Sequence, residues 1–528
     1  MMSNGFDLRA RFATWRRSFS LPLILILSFN GSGQAPPSSA RTSQADATLA
    51  TALDGYVAEL STRLPVTPGL SIAVVRGDKI VYAKGFGHRD LKAKLPVTPQ
   101  TQFYIASTTK AFTGTAAKLL ADEGKFDLDA PLKKYFPNLA LKAPLDASQI
   151  TIRDLLTHRS GISNEAINFR TAYTGQHDAN VLLELLASYS KPTSPEFRYS
   201  NIGYLVAALA LEKAAGETWQ QVVERKIFLP LNLKATSAYA SKAKASGDFA
   251  LPYLATGGGA FTELPYKEDS TMHAAGGIWS GAEDLAKWLV VNMNGGKYEG
   301  RQIIPASSLE EILAPQINQK RNFYRFKRYG YGLGWNIGTY HDDKFIHCFG
   351  EFHGFRPHVS FMPEHKLGVV VLVNESTEAF SLPDLIACDI YDHLLGRKPL
   401  SARANPEIDK YVANLQKDKD ERAKKAAAAP APGSATEKKS DPALPLTAYA
   451  GDYENPEWGK ITIASDAKTL SLRFGVITST LVHLTGDTFE AKLRPGDISR
   501  VTFKVDANTG VSHLSLVGQN FARVRQGS

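Results

Sequence analysis

Strand-like runs stand at both ends of the first 400 residues of this chain, and a helical pattern fills the stretch between them. Residues 70–86 carry two β-branched runs around Gly77-Asp78, which is typical of a β-hairpin. Residues 357–373 carry two further runs of the same kind, whereas residues 150–290 are mostly helical in the spacing of their apolar side chains. Strands that flank a helical middle predict an α+β domain.

The composition changes after residue 400. The stretch 401–445 contains many charged residues, an alanine run and Pro, Gly and Ser, which is typical of a flexible linker. Beyond it, apolar residues alternate as in strands, for example at Leu470, Leu472 and Phe474. We therefore expect a main domain over 49–400, a linker over 401–445 and a small all-β domain over 446–528.

The first 35 residues have the layout of a secretory signal peptide. Residues 9–17 are basic, residues 21–29 are apolar, and small residues follow. The apolar run is far shorter than the roughly 18–20 residues that span a bilayer. We therefore expect residues 1–35 to be removed, a loose tail over 36–48, and a periplasmic or secreted protein with no membrane span. An uncleaved interfacial anchor is the alternative, and Arg16-Arg17 leaves the general and twin-arginine export routes both open.

Charge and residue content exclude several classes of protein. The chain has 528 residues and a net charge of +9, which is modest for this length and does not indicate nucleic-acid binding. Its two cysteines, Cys348 and Cys388, exclude a disulfide-rich scaffold and a cysteine-built zinc site. The histidines lack an H-E-x-x-H motif, and no phosphate-binding loop is present. We expect neither a metal nor a cofactor.

The segment Ser107-Thr108-Thr109-Lys110 contains a candidate nucleophile and its base. Serine and lysine three residues apart on a helix share a face. A serine hydroxyl is a weak nucleophile until a base takes its proton. Lysine can be that base when burial or a helix N-terminus lowers its pKa. The same helix end presents free backbone N–H groups to an oxyanion.

As a bare pattern Ser-x-x-Lys is weak, because it occurs four times in this chain. Only Ser107 follows an apolar lead-in, Phe103–Ala106, and opens a helix with an apolar face. An ordinary N-cap serine is the alternative reading of Ser107. The four pairs are Ser107/Lys110, Ser188/Lys191, Ser241/Lys244 and Ser465/Lys468.

Two further clusters carry groups suited to the same chemistry. A phenol such as Tyr199 can pass a proton to a leaving group beside a lysine, and the amide of Asn201 can hold a substrate carbonyl. The alternative for this cluster is a simple turn. In the segment 347–354, glycines at positions 350 and 354 would let a strand edge approach a ligand closely. A bulged core strand with a buried Cys348 is the alternative there.

Together these three clusters resemble the penicillin-binding-protein and class C β-lactamase superfamily of serine hydrolases. Supporting segments cover residues 50–395 in the expected order. The resemblance implies a β-lactamase/transpeptidase-like fold, in which an antiparallel sheet is flanked by helices and joined to a mostly helical subdomain. Residues 446–528 resemble the small β-barrel that often follows such domains, for which no catalytic role is implied. The supporting segments are 155–162, 275–280, 331–335 and 368–374.

The resemblance also assigns roles to residues of this chain. Ser107 would be the acylated nucleophile, Lys110 its base, and Tyr199 the relay of protons to the leaving group. Asn201 would orient the substrate amide. The N–H of Ser107 and the N–H just after Gly350, which is that of Glu351, would form the oxyanion hole.

One departure from the family pattern concerns substrate binding. The spacing of Gly350 and Gly354 puts Cys348 where the family has histidine or lysine, and His347 lies one residue earlier. On a regular strand His347 would point to the opposite face, so either a bulge turns His347 inward or Cys348 lines the site. Replacement charges could come from Arg356 or the basic run 320–328, although such runs usually face water. Loss of the cation that binds a carboxylate in penicillin-acting members disfavours true β-lactamase activity.

We therefore expect an exported serine hydrolase that forms an acyl-enzyme and cleaves amide bonds, above all in peptides. Its partner would be a small peptide, amide or ester, with no nucleic acid. A carboxylesterase or a β-lactamase of the same superfamily is the alternative, and a non-catalytic penicillin- or peptide-binding sensor is an alternative of another class.

Overall fold

The structure, a computed structural model, describes residues 38–428, 440–493, 498–506 and 510–524. The chain divides into two compact units, Met1–Ala47 and Thr48–Ser528. In the first unit the structure describes residues 38–47, which form the beginning of the first helix. The expected signal peptide, 1–35, lies outside the described residues and stays a prediction. No helix within the described ranges has an apolar stretch long enough to cross a membrane.

The helices and strands of the main domain alternate irregularly along the chain. The helices are α1 (Ser38–Arg63), α2 (Thr109–Asp122), α3 (Leu132–Tyr135), α4 (Ile152–Leu156), α5 (Glu165–Phe169), α6 (Ala179–Tyr189), α7 (Asn201–Ala215), α8 (Trp219–Val223), α9 (Ala240–Ala245), α10 (Ala282–Met293), α11 (Ala306–Leu313), α12 (Leu382–Leu394) and α13 (Pro406–Ala428). The strands are β1 (Gly69–Arg76), β2 (Lys79–Asp90), β3 (Leu95–Pro96), β4 (Phe103–Tyr104), β5 (Ile162–Ser163), β6 (Lys191–Pro192), β7 (Thr236–Ser237), β8 (Tyr253–Gly257), β9 (Ala260–Glu263), β10 (Trp279–Ser280), β11 (Lys297–Tyr298), β12 (Arg301–Gln302), β13 (Ile317–Phe323), β14 (Phe326–Tyr331), β15 (Asn336–Tyr340), β16 (Asp343–Phe349), β17 (Arg356–Met362) and β18 (Leu367–Val373).

The core of the main domain is an antiparallel sheet in the order β13-β14-β15-β16-β17-β18-β1-β2-β3. The first and last strands of the domain pair at its centre, with Leu70 opposite Val373. Ile72 and Val74 pack into the apolar layer that contains α1 and α12, whereas Ala73 belongs to the layer on the other face. Because successive side chains of a strand point to opposite faces, such a two-sided apolar strand must be covered on both sides. The expected α+β arrangement is confirmed.

A mostly helical subdomain is inserted between the two halves of the sheet. Its helix α4 is preceded by Thr151, whose side chain and that of Asp154 form a capping box. Ser280 and Glu283 have the same spacing but form no capping box. Helix α10 begins after Gly281 instead, and the Ser280 hydroxyl is hydrogen-bonded to Thr236.

The C-terminal domain is a closed antiparallel barrel. Alternate residues of its strands, such as Leu470, Leu472 and Phe474, fill the interior. The barrel packs against α5 and the π-helical turn that follows it, where the Arg170 guanidinium donates to the carbonyl oxygens of Glu457 and Pro456, each at 2.9 Å. The strands are β19 (Gly451–Asn455), β20 (Gly459–Ser465), β21 (Leu470–Phe474), β22 (Ile477–Thr485), β23 (Thr488–Ala491), β24 (Ser499–Asp506), β25 (Gly510–Leu516) and β26 (Gln519–Arg523).

Two segments expected to be loose contain helix. Helix α1 begins at Ser38, within the expected tail over 36–48, and helix α13 occupies much of the expected linker over 401–445. In α13, Ile408 is buried, and the Tyr411 hydroxyl donates to the Glu378 carbonyl at 2.6 Å. An apolar stripe at helical spacing thus holds α13 against the α1 and α12 layer, while its charged residues gave the segment a linker-like composition.

Candidate active site

Ser107 lies in a 3-10 turn, Ala106–Thr108, that leads directly into α2. The preceding residue, Ala106, has a φ of 44°, in the left-handed region that residues with a Cβ rarely adopt. Lys110 is 1% exposed, and its Nζ lies 3.0 Å from the Ser107 Oγ. The two side chains expected to share a helix face therefore meet, and the serine is the more accessible of the two.

The surroundings of the Lys110 amine favour its neutral form. Its Nζ donates to the Asn201 Oδ1 at 2.8 Å and to the Ala275 carbonyl at 2.7 Å, and both of these oxygens only accept hydrogen bonds. In its neutral form the amine can donate its two N–H groups to these oxygens and accept from the Ser107 hydroxyl, whereas in its charged form it donates to all three oxygens. Burial lowers the pKa of Lys110 well below its usual value, and no carboxylate of the described residues forms an ion pair with it.

The segment that follows His273 holds the Ala275 carbonyl in place. The Thr113 hydroxyl of α2 donates to the Ala274 carbonyl at 2.7 Å, and the Thr109 hydroxyl accepts from the Ile278 N–H at 3.1 Å. At Gly277 a Cβ would lie 2.4 Å from the His273 backbone nitrogen, so the tight turn requires glycine. The sequence segment 275–280 thus has a physical role, because it supplies an acceptor for the Lys110 amine.

Tyr199 lies beside both Ser107 and Lys110. The Lys110 Nζ is 4.8 Å from the centre of the Tyr199 ring, and the Ser107 side chain lies close enough to lower the pKa of the Tyr199 hydroxyl. Although 38% of Tyr199 is exposed, desolvation raises the pKa of its hydroxyl above the usual value, and the nearby Ser107 side chain opposes this only in part. The phenol therefore stays protonated at neutral pH and can pass a proton rather than act as a permanent anion.

Helix α7 places Asn201 at its first position. The Ser200 side chain caps this helix by accepting from the Ile202 N–H, and the Ser200 N–H donates to the His158 Nδ1 at 3.1 Å. The His158 ring also lies 4.6 Å from the Tyr199 ring. Burial and the nearby Lys110 amine lower the pKa of His158 well below its usual value, so a neutral imidazole supports Tyr199 and the start of α7.

The end of β16 approaches the serine closely. At Gly350 a Cβ would lie 2.3 Å from the Ile105 carbonyl oxygen, so only glycine fits between this strand and the serine turn. The N–H groups of Gly350 and Phe352 donate to Pro357 and Phe355 of the neighbouring segment. Because N–H directions alternate along extended chain, the N–H of Glu351 points the other way and is suited to bind an oxyanion.

Cys348 lies on the serine side of β16, and His347 does not. The pairing of β16 with β17 is regular, with His347 opposite Ser360 and Cys348 opposite Val359, so there is no bulge to turn His347 inward. Cys348 contacts Thr108, and burial raises the pKa of its thiol. His347 instead accepts from the Arg328 Nε at 3.1 Å, within the layer on the opposite face. Of the two alternatives left open by the sequence, the regular pairing thus excludes a bulge at His347 and favours Cys348 beside the serine.

Two of the arginines considered as replacement charges, Arg356 and Arg328, are buried in the same back layer. Arg356 donates to the Gly350 carbonyl at 2.8 Å and forms an ion pair with Asp384 at 3.1 Å. Arg356 thus holds the end of β16 from the face of the sheet that is opposite Ser107. The guanidinium of Arg328 lies 4.0 Å from the centre of the Phe323 ring. The basic run 320–328 belongs to the edge hairpin of β13 and β14, where Lys320, for example, is exposed.

The sheet, the inserted helices and the serine site define a member of the penicillin-binding-protein and β-lactamase superfamily. Residues 57–387 match the family model described as beta-lactamase, and residues 435–525 match a domain of unknown function, DUF3471. The first match covers more than half of the chain, and the chain therefore belongs to the beta-lactamase family. Within the described residues, no cluster of three or more His, Cys, Asp or Glu side chains could hold a metal ion.

Among curated proteins, the chain is similar to the unguisins hydrolase of Aspergillus campestris, at 28% identity over 423 residues that cover 76% of this chain and 75% of the relative. It is also similar to the protein flp of Staphylococcus aureus, at 28% identity over 59% of this chain and 60% of that protein.

Solved structures share the fold. The octameric penicillin-binding-protein homologue of Pyrococcus abyssi aligns with a TM-score of 0.58 and 24% identity, over 89% of this chain and 98% of that one. The D-amino acid amidase of Ochrobactrum anthropi aligns with a TM-score of 0.55 and 21% identity, over 65% of this chain and 99% of that one.

Of the residues expected at the site, the structure brings Ser107, Lys110, Tyr199 and Asn201 together, and it places Cys348, Gly350 and Glu351 at the adjoining strand end. Sequence reasoning missed the Ala275 carbonyl and His158 as supporting groups. Both lie in segments that carried the family resemblance, which was the one available signal, because neither a backbone oxygen nor a lone buried histidine is conspicuous in a single sequence.

Proposed function

We propose that this protein is an exported serine hydrolase that cleaves amide bonds in small peptides through an acyl-enzyme. One observation carries the proposal: the buried Lys110 amine has obligate acceptors for two N–H groups and faces the Ser107 hydroxyl at 3.0 Å. That arrangement suits a neutral general base next to its nucleophile. A purely structural lysine would need a counter-ion to offset its burial.

In the proposed acylation, Lys110 takes the proton of the Ser107 hydroxyl while the Oγ attacks the carbonyl carbon of the substrate amide. The N–H groups of Ser107 and Glu351 stabilise the oxyanion that forms. As the C–N bond breaks, the proton passes through Tyr199 to the leaving amine. Water then attacks the ester, gives a proton to the same base, and releases the acid with the Ser107 hydroxyl restored.

Two residues of strand β16 favour amide cleavage over β-lactam cleavage. A buried, protonated Cys348 occupies the strand position where penicillin-acting members carry a cation, and His347 faces away. A relative named as a hydrolase and a structural neighbour that is an amidase support the wider class. Ester cleavage uses the same groups and is the second candidate, since an activated ester presents the same carbonyl to the same nucleophile.

Export to the periplasm or beyond is supported by the basic and apolar segments within residues 1–35. We expect N-terminal sequencing of the mature protein to begin near residue 36. Recovery of an intact N-terminus from the extracytoplasmic fraction would contradict cleavage.

The proposed function is tested with a covalent probe and a substrate panel. A fluorophosphonate should add once to the protein, and peptide mapping should place the adduct on Ser107. The panel contains nitrocefin, p-nitrophenyl esters, D-alanine amides and linear peptides, with turnover expected for amides or esters. A stable penicillin adduct with no turnover of any member would instead favour the sensor.

Tyr199→Phe is expected to lower kcat for amides by about 10²- to 10³-fold, because an amine leaving group must be protonated as it departs. The loss should be smaller for p-nitrophenyl esters, whose phenolate leaves without a proton. Steady-state kinetics on both substrate types measure the difference. Equal losses on both would argue against a role in leaving-group protonation. Tyr329→Phe, on an exposed tyrosine of β14, is the matched control.

A further inference from the structure

A large cavity lies where the barrel meets the main domain. Its volume is about 680 Å³, and its lining is mainly apolar. The barrel contributes Val476, Leu493 and Ile498, and the main domain contributes Leu264 and Phe352. Val476 and Ile498 are 44% and 64% exposed, so the barrel presents apolar surface to this space rather than burying it in its own core.

Lys267 lies in the lining of this cavity and is only 4% exposed. Its Nζ donates to the Ala172 carbonyl and lies 3.8 Å from the centre of the Phe352 ring. The rings of Tyr104 and Tyr173 are 5.6 and 5.8 Å away. No carboxylate in the described part of the chain forms an ion pair with this amine, and burial lowers the pKa of Lys267 to about 7.

The aromatic groups around Lys267 connect the cavity to the catalytic residues. Phe352 follows Glu351, whose N–H is suited to bind the oxyanion. The Tyr104 hydroxyl donates to the carbonyl of Gly276, and Gly276 is next to Ala275, the acceptor for the Lys110 amine. The cavity lining and the serine site are thus joined through the segment Glu351-Phe352.

We propose that the cavity binds the apolar end of a linear peptide substrate and that Lys267 binds its free terminal carboxylate. This inference rests on the proposed function and names the substrate class for the same site. The remaining charged side chains of the lining, Glu263, Glu268 and Lys492, are exposed at the rim. Lys267 is thus the amine in the desolvated part of the cavity, where its protonated form would pair with an anion under the least screening.

The aromatic rings suit this role. Their faces stabilise an ammonium group but do not neutralise it, so a bound carboxylate supplies the counter-ion that the protein withholds. An apolar carboxylate would also bury its side chain against the barrel residues, which a neutral or short substrate would do less well.

The test compares Lys267→Met with the parent protein on matched apolar N-acetyl peptides, each as the free acid and as the C-terminal amide, in D and L forms. We expect the parent to prefer the acid, and the ratio of kcat/KM for acid over amide to fall about 10- to 100-fold in the variant. Lys244→Met is the control. Lys244 also packs on an aromatic ring of this segment but pairs with Glu268, and its loss should leave the ratio as it was.

A binding measurement separates this inference from the proposed function. In a Ser107→Ala background, calorimetry with an apolar N-acetyl amino acid should detect binding that Lys267→Met weakens about 10- to 100-fold. An unchanged acid preference, or equal binding with and without the amine, would overturn the role of Lys267. If the parent hydrolyses nothing, the proposed function is wrong. The calorimetry still tests whether Lys267 binds a carboxylate.

Discussion

Ser107→Ala is expected to lower kcat/KM for every hydrolysed substrate by about 10⁴- to 10⁶-fold, since no acyl-enzyme can form without the Oγ. The residual rate should come from oxyanion stabilisation and binding alone. The variant should also lose its fluorophosphonate adduct in intact-mass spectra. Because the Ser107 side chain is small and partly exposed, the folded state should be retained, and the midpoint of thermal unfolding should change little.

Ser465→Ala is the matched control, because Ser465 and Lys468 repeat the Ser-x-x-Lys spacing in the barrel. There the serine ends strand β20, and its hydroxyl accepts from the Ala467 N–H in an exposed turn. This variant should keep the parent rate and the adduct. Parent-like activity in Ser107→Ala would contradict the entire catalytic assignment.

Lys110→Met and Lys110→Arg are both expected to lower kcat/KM by about 10³- to 10⁴-fold, because neither side chain can take the Ser107 proton. Methionine tests the loss of the amine, and arginine tests whether positive charge alone suffices. If arginine restored the parent rate, Lys110 would act by charge, and the role of general base would be wrong. A fluorophosphonate labelling rate measures acylation directly in both variants.

The pH dependence of the parent gives the same residue a second test. The base must be neutral, and burial lowers the pKa of Lys110, so kcat/KM should rise with pH through that pKa and then stay level. Activity should be lost on the acid side, as the amine gains a proton. The acid limb should start at a pH well below the pKa of an exposed lysine. If the acid limb persisted in Lys110→Met, it would report the titration of another group.

The order of strands and helices was predictable because the spacing of apolar residues along the sequence indicates which side chains are buried. β1 and β18 carry continuous apolar runs rich in β-branched residues, as strands covered on both faces require. The proximity of Ser107 and Lys110 was predictable for a different reason, since a spacing of three residues brings two side chains to one face of a helical turn. Tyr199 and Asn201 needed the family resemblance, because nothing in a single sequence relates positions 91 residues apart, the separation of Lys110 and Asn201.

What the sequence left open depends on tertiary contacts. The choice between His347 and Cys348 required the regular pairing of β16 with β17, which a stretch rich in glycine does not reveal. Helix α13 has the composition of a linker and is held by a few apolar residues against a layer formed by distant segments. Lys267 appeared as one of many lysines, since its burial arises from aromatic rings at 104, 173 and 352.

The attachment of the barrel to the π-helical turn has a consequence for redesign. Arg170 holds two carbonyl oxygens of the barrel, and the Val476 N–H donates to Thr174, so the barrel is fastened through backbone atoms that do not depend on its side chains. Residues at its apolar loop positions can therefore be diversified while the fastening persists. A library confined to positions 476 and 498 would explore new selectivities in a protein whose reactive groups remain untouched.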